Sequence, residues 1–132
     1  MTAASVRVGV DIGGTKIALG IVDEQHHIIS DIPRFQVRSY KDGDSLVRKL
    51  VQEIGDLLEQ EEINRSRISG IGVGSPGPLD LKTGTILDTP NMPMLHNYRL
   101  RDAISESAQL PTEVNNDANC FALGEALAGE AK

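Results

Sequence analysis

The 132-residue chain has a single cysteine, Cys120. That rules out an internal disulfide framework or a cysteine cluster for a metal within these residues. Basic residues are outnumbered, 13 against 19 acidic, for a net charge of −6. No basic stripe stands out, and affinity for a nucleic-acid backbone comes mainly from Lys and Arg neutralising phosphates, so such a partner is disfavoured. No apolar run approaches the roughly 20 residues that would span a bilayer. The start, Met1 to Ser5, is small and polar and lacks the basic head and apolar stretch of a signal peptide, which makes the cytoplasm the expected compartment. Asn64-Arg65-Ser66 matches the glycosylation pattern, and without secretion it is an accident of sequence. With 39% hydrophobic and 24% charged residues, the composition is that of an ordinary globular domain, and the length suits one domain with its own core.

Val6, Val8 and Val10 alternate with Arg7, Gly9 and Asp11. After Gly13-Gly14 the alternation resumes with Ile17, Leu19 and Ile21, so a β-hairpin with glycines at its turn is expected. Asp23 to His27 mark a second turn, followed by a strand from Ile28 to about Val37, completing a three-stranded meander. From Ser45 the period becomes helical, with Leu46, Val47, Leu50, Val51, Ile54, Leu57 and Leu58 on one face and Ser45 or Asp44 as N-cap. Ile68 to Gly74 reads as a buried strand. Residues 79 to 99 are turn-rich, with one strand at Thr85 to Leu87. A helix over Leu100 to about Gln109, a strand over Thr112 to Asn115 and a helix over Ala118 to Leu127 complete the order β-β-β-α-β-α-β-α. This predicts an α/β domain with a mixed five-stranded sheet and flanking helices, because later strands reached through helical crossovers pair in parallel. The order is that of the ribonuclease H-like core shared by actin-like kinases, although fold alone does not give function.

Residues 9 to 16, GVDIGGTK, come within one transposition of a Walker A motif. That motif must open a helix, whereas Ile17 to Val22 have the period of a strand, so the phosphate-loop reading is rejected. What remains is a tight turn whose glycine N–H groups can face an anion, beside the Thr15 hydroxyl and the Lys16 ammonium. Asp11, at the end of the first strand, is a candidate to hold Mg²⁺ directly or through water. An ordinary Gly-Gly hairpin with solvated Asp and Lys is the competing reading. A second polar cluster, Asn115-Asn116-Asp117-Ala118-Asn119-Cys120, lies between a strand and an apolar helix. Asp117 suits an N-cap there; equally, Asn116 and Asp117 offer donors and a carboxylate at the carboxyl end of a strand, where ligands of open α/β sheets bind. Gly74-Ser75-Pro76-Gly77-Pro78 and Asn91 read as turn and loop residues. His26, His27 and His96 show no metal-ligand spacing.

Taken together, Asp11-Ile12-Gly13-Gly14-Thr15-Lys16, Gly74-Ser75-Pro76-Gly77-Pro78-Leu79-Asp80, Pro90-Asn91 and Asn116-Asp117-Ala118-Asn119-Cys120-Phe121-Ala122-Leu123-Gly124-Glu125 resemble the ROK family (repressor, open reading frame, kinase) in order and spacing, over nearly the whole chain. The resemblance implies a two-lobed, actin-like sugar kinase or a sugar-responsive repressor, with the active site between lobes. It implies that Asp117 is the catalytic base and that Asn116, Asn91, Gly77 and Thr89, with Asp117, contact sugar. By the same resemblance Gly13, Gly14, Thr15 and Lys16 form the first phosphate loop for ATP, and Asp11 faces the Mg²⁺ and phosphates. Residues 1 to 132 then form the N-terminal lobe, incomplete as an enzyme alone, and the family's zinc motif is expected only in a second lobe beyond Lys132. Where the family often carries a tryptophan after the Pro-Asn pair, this chain has Met94-Leu95-His96-Asn97-Tyr98.

A ROK regulator carries a helix-turn-helix before its sugar lobe, and a first strand starting by about Val6 leaves no room for one. A ribonuclease H-like nuclease needs further carboxylates beside Asp11, yet the fourth strand offers Gly72, Gly74 and Ser75. The expected reaction is therefore phosphorylation of a hexose or N-acetylhexosamine by ATP, without nucleic-acid or membrane partners. Self-association into a homo-oligomer is expected through the apolar cleft-facing surface.

Overall fold

The computed structural model of the chain describes residues 5–13, 15–25, 27–37, 40–75, 78–87 and 93–115. The alternating valines form strand β1, Val6–Ile12, and the chain reverses between Gly13 and Lys16 into β2, Lys16–Val22. Val8 stands opposite Ile21, Val10 opposite Leu19 and Ile12 opposite Ile17, so branched side chains from both strands meet on one face. Strand β3, Arg34–Gln36, adds antiparallel to β2. Helix α1, Gly43–Gln60, then returns the chain to β4, Ile68–Gly74, parallel to β1.

Between β4 and the next helix the chain makes an excursion. Leu79–Asp80 (β5) and Thr85–Ile86 (β6) pair as a small two-stranded sheet, and a 3₁₀ turn follows at Pro93–Leu95. Helix α2, Leu100–Ala108, leads to β7, Thr112–Asn115, parallel to β4. The main sheet has the order β3-β2-β1-β4-β7, with β2 alone antiparallel. Both crossovers progress in the same direction across the sheet; with the usual right hand they put both helices on one face, and α1 does pack against α2.

That shared face holds the core. Val8, Val10, Ile17, Leu19, Ile21, Ile71 and Val73 from the strands meet Leu46, Leu50, Ile54 and Leu57 of α1 and Leu100 and Ile104 of α2. Burying each such side chain contributes about 1.5–3 kcal/mol. The five-stranded mixed sheet and the expected helix, strand and hairpin order stand as read from the sequence; the helix expected at 118–127 lies outside the described residues.

Three local expectations need correction. The N-cap of α1 is Asp42, neither Asp44 nor Ser45. The Ser45 N–H donates to Asp42 Oδ1 at 2.7 Å and the Asp42 N–H to Ser45 Oγ at 3.4 Å, a reciprocal capping box that begins the helix two residues early. The third strand is shorter than 28–37: Ile28 makes one bridge with Val22, and the regular strand covers only Arg34–Gln36. Pro33 has no N–H for a ladder, and β2 is satisfied irregularly instead. Its Ile21 N–H donates to Ser30 Oγ at 2.8 Å and its Leu19 N–H to the Pro33 carbonyl at 3.2 Å. Third, the strand at Thr85 has a partner, β5, that its two-residue length hid. At Asn64, the side chain accepts the Ser66 N–H at 2.9 Å and so caps a 3₁₀ turn.

Candidate functional site

Parallel strands bring their carboxyl ends to one edge of the sheet, and at that edge Asp11 of β1 is the register partner of Gly74 of β4, which is the partner of Asn115 of β7. Register partners point to the same face, here the face opposite the apolar core. With strands about 4.8 Å apart, Asp11 and Asn115 stand about 10 Å apart across a residue without a side chain. The result is a gap between two polar side chains over Gly74, which is itself buried. Ser75 closes its base: it is 3% exposed and its N–H donates to the Asn115 carbonyl at 2.8 Å. Asn116 and Asp117 follow Asn115 directly in the chain.

Asp11 is half-buried, and burial raises its carboxyl above the ordinary aspartate value because the charged form loses water. It has no hydrogen-bond or ion-pair partner among the described residues. A half-buried carboxylate left without a protein cation suits a position facing a bound one, and its chemistry fits the oxygen ligands that Mg²⁺ prefers.

The hairpin turn beside it is drawn tight by the Gly13 N–H donating to the Lys16 carbonyl at 2.8 Å, and a Cβ at Gly13 would lie 3.1 Å from that same oxygen. Gly13 thus spends its N–H inside the hairpin, so an anion would meet the turn tip and the exposed Thr15 and Lys16. The Thr15 carbonyl accepts the Val37 N–H at 2.9 Å, which ties the turn to the end of β3. Lys16 opens a strand and not a helix, in keeping with rejection of the Walker reading.

Of the residues singled out by sequence, Asp11, Gly13, Thr15 and Lys16 are brought together at this edge. Gly14, Gly77, Thr89, Asn91, Asn116 and Asp117 lie outside the described residues. Their neighbours are placed: Ser75 and Asn115 at the gap, and Leu87 and Pro93 at the ends of the excursion loop. No group of three or more His, Cys, Asp and Glu able to hold a metal occurs among the described residues. A recess of about 370 Å³ opens at the other end of the same sheet face, lined by Arg7, Ser69, Gly70, Gly72, Thr112 and Glu113 among others. It holds none of the candidates, and ligands of parallel sheets bind at carboxyl ends, so the carboxyl-edge row is the better site.

Sequence reasoning passed over the contact that closes the excursion, between Tyr98 and the first turn of α1. The Tyr98 hydroxyl donates to Asp44 Oδ1 at 2.7 Å. Burial, with the Asp44 contact second, pushes that hydroxyl far above the usual tyrosine value. No periodicity or motif announces a tertiary pair 54 residues apart.

The family model described as "ROK family" matches residues 7–132. A glucokinase of Thermotoga maritima is 31% identical over 125 residues, covering 95% of this chain and 38% of that protein. An N-acetyl-D-glucosamine kinase of Yersinia pestis is 33% identical over 118 residues, covering 89% and 43% respectively. Among solved structures, a ROK family glucokinase from Streptomyces griseus in complex with glucose and AMPPNP superposes with a TM-score of 0.74 at 30% identity, covering 91% of this chain and 37% of that one. The chain therefore spans less than half the length of each of these relatives.

Proposed function

The chain belongs to the ROK family, and from that premise we propose that it is the N-terminal lobe of an ATP-dependent kinase for a hexose or N-acetylhexosamine. The observation that carries the reading is the row Asp11, Gly74 and Asn115 at the carboxyl edge. It sets the hairpin strand β1 one strand away from β7, whose sequence continues into Asn116 and Asp117. Kinase relatives of two sugar classes, and a ROK structure holding glucose and an ATP analogue, agree with it.

Asn116, Asn91, Thr89 and Gly77 orient the sugar, and the Asp117 carboxylate takes the proton of the attacking hydroxyl as its oxygen bonds to the γ-phosphorus. The bond from that phosphorus to the bridging oxygen breaks and ADP leaves. Because this transition state is loose, positioning and charge stabilisation matter more than base strength. The Thr15 hydroxyl and the Lys16 ammonium, with Gly14, take the phosphate oxygens. Asp11 would hold Mg²⁺, directly or through water, and the ion would neutralise phosphate charge.

Asp117→Asn in the intact protein tests the assignment. An amide still caps a helix about as well as a carboxylate, yet it cannot usefully accept a proton. We expect kcat to fall by about 10²- to 10⁴-fold, with sugar Kd and melting temperature changed far less. Turnover within about tenfold of wild type would remove Asp117 from the role of base.

A further inference from the structure

The row of Asp11, Gly74 and Asn115 does not end at β1. Asp11 is also the register partner of Ala18 on β2, and Ala18 is the partner of Arg34 on β3. All three stand on the face away from the core, since their chain neighbours Ile12, Ile17 and Phe35 pack on the apolar side. Two residues nearer the hairpin turn on that same face is Lys16, in register with Gln36. Ala18 is thus the floor between three charged side chains. Asp11 and Arg34 stand about 10 Å apart across it, and Lys16 is the diagonal neighbour of both at about 7–8 Å.

The two cations are not neutralised by the protein around them. Arg34 and Lys16 are exposed, and none of the ion pairs among the described residues involves either. The Arg34 Nη1 donates to the Ile32 carbonyl at 3.1 Å, an exposed bond that uses one donor of a guanidinium and leaves the rest of its fork free. Lys16 by itself only offsets the Asp11 carboxylate. With Arg34 the cluster becomes net positive, and a planar donor that can hold two oxygens at once joins a point charge. Alanine at 18 keeps the space between them open, where a longer side chain would stand in the middle. Arg34 lies on an edge strand of the sheet, and a charge there can serve only to block pairing with another sheet. The two roles differ in what reversing the charge does.

We propose that Arg34 is an additional phosphate-binding residue of the candidate site: its guanidinium closes the β3 side of the ATP phosphate chain, while Lys16 and Thr15 hold the hairpin side. The inference rests on the kinase reading above and adds a residue from a strand that no motif marks. On binding, the contact with the Ile32 carbonyl gives way to bonds with phosphate oxygens, which are charge-assisted and therefore shorter and stronger.

In the intact protein, Arg34→Gln should raise the KM for ATP by about three- to tenfold, as expected of a charge-assisted contact at an exposed site. Inorganic tripolyphosphate, which carries the phosphate chain without adenosine, should bind more weakly by the same factor in calorimetry. The KM for sugar and the melting temperature should stay near wild type. Arg34→Lys should recover part of the loss, and Arg34→Glu should exceed it even though glutamate keeps a charge on the edge strand. These differences should shrink as salt is raised. Arg7→Gln removes an exposed cation from the other end of the same face and should leave both ATP and tripolyphosphate unaffected. Unchanged ATP KM and tripolyphosphate affinity in folded Arg34→Gln and Arg34→Glu variants overturn the proposal and leave Arg34 as an edge charge. An equal loss in Arg7→Gln also overturns it, because the effect would then be one of overall charge. Absence of sugar phosphorylation by the wild-type protein would instead sink the functional reading, and this inference with it.

Discussion

In the five-stranded sheet and its two helices, contacts are made by many interchangeable aliphatic side chains. The excursion of residues 79–99 adds Ile86 and Leu95 to that core, but its two ends are fixed by a few contacts that are not interchangeable. Leu50 and Ile104, 1% and 0% exposed, belong to one continuous cluster of buried aliphatic side chains. Gly84 and Gly43, by contrast, each exclude any side chain at all, against Arg101 and Tyr98 respectively. The first kind of region is held by apolar area and tolerates exchange of like for like; the second is held by shape and single hydrogen bonds. Framework comes from the one, and the placing of a loop comes from the other.

The largest effect should follow from opening the framework. Leu50→Ala, which deletes a side chain buried among α1 and the strands, should cost about 2–5 kcal/mol in denaturant unfolding of the whole unit. A loss below about 1 kcal/mol would mean that the sheet and helices are not the cooperative core.

The second test sets two glycines of opposite character against each other. Gly84→Ala forces a side chain into a left-handed position and into Arg101, and should destabilise by about 1–3 kcal/mol, with faster hydrogen exchange concentrated in residues 79–99. Gly55→Ala, on the exposed face of α1 where a Cβ would meet nothing within 4 Å, should stabilise by about 0.5–1 kcal/mol, since alanine is the better helix former. Opposite signs sharpen the contrast between framework surface and excursion; equal signs break it.

The smallest effect concerns the edge where the two regions meet the site. Because burial raises the Asp11 carboxyl above 3.8, the native state holds its proton more tightly than the unfolded chain. Stability from this group is then full below the unfolded value and declines as pH rises through the folded one. Asp11→Asn removes the cost of an ionised half-buried carboxylate, so its melting temperature should be slightly higher than wild type at pH 7 and equal to it at pH 3. A lower melting temperature at pH 7 would show that the ionised carboxylate has a stabilising partner.

The framework was legible in sequence because its signals are local and repeated. Valines at 6, 8 and 10 report a strand, and leucines at 46, 50 and 57 report a helix face, within the span of one element. The excursion was not legible for the converse reason: β5 and β6 are two residues each, too short for periodicity, and Gly84 and Tyr98 acquire meaning only from distant partners. The site divides in the same way. Its residue types could be named from motif spacing, yet nothing in the order of residues states that Asp11, Gly74 and Asn115 stand in one row.

By itself the amino-acid sequence determined the element order, the apolar face of each element and the rejection of a phosphate loop at GVDIGGTK, because alternation at period two is incompatible with a helix start at Lys16. Tertiary structure alone decided that three strand ends 41 to 104 positions apart form one row, that the Gly13 N–H is spent inside its hairpin, and that Tyr98 meets Asp44. Parallel pairing and crossover direction set those distances, and they are properties of the packed sheet that no local stretch of chain carries.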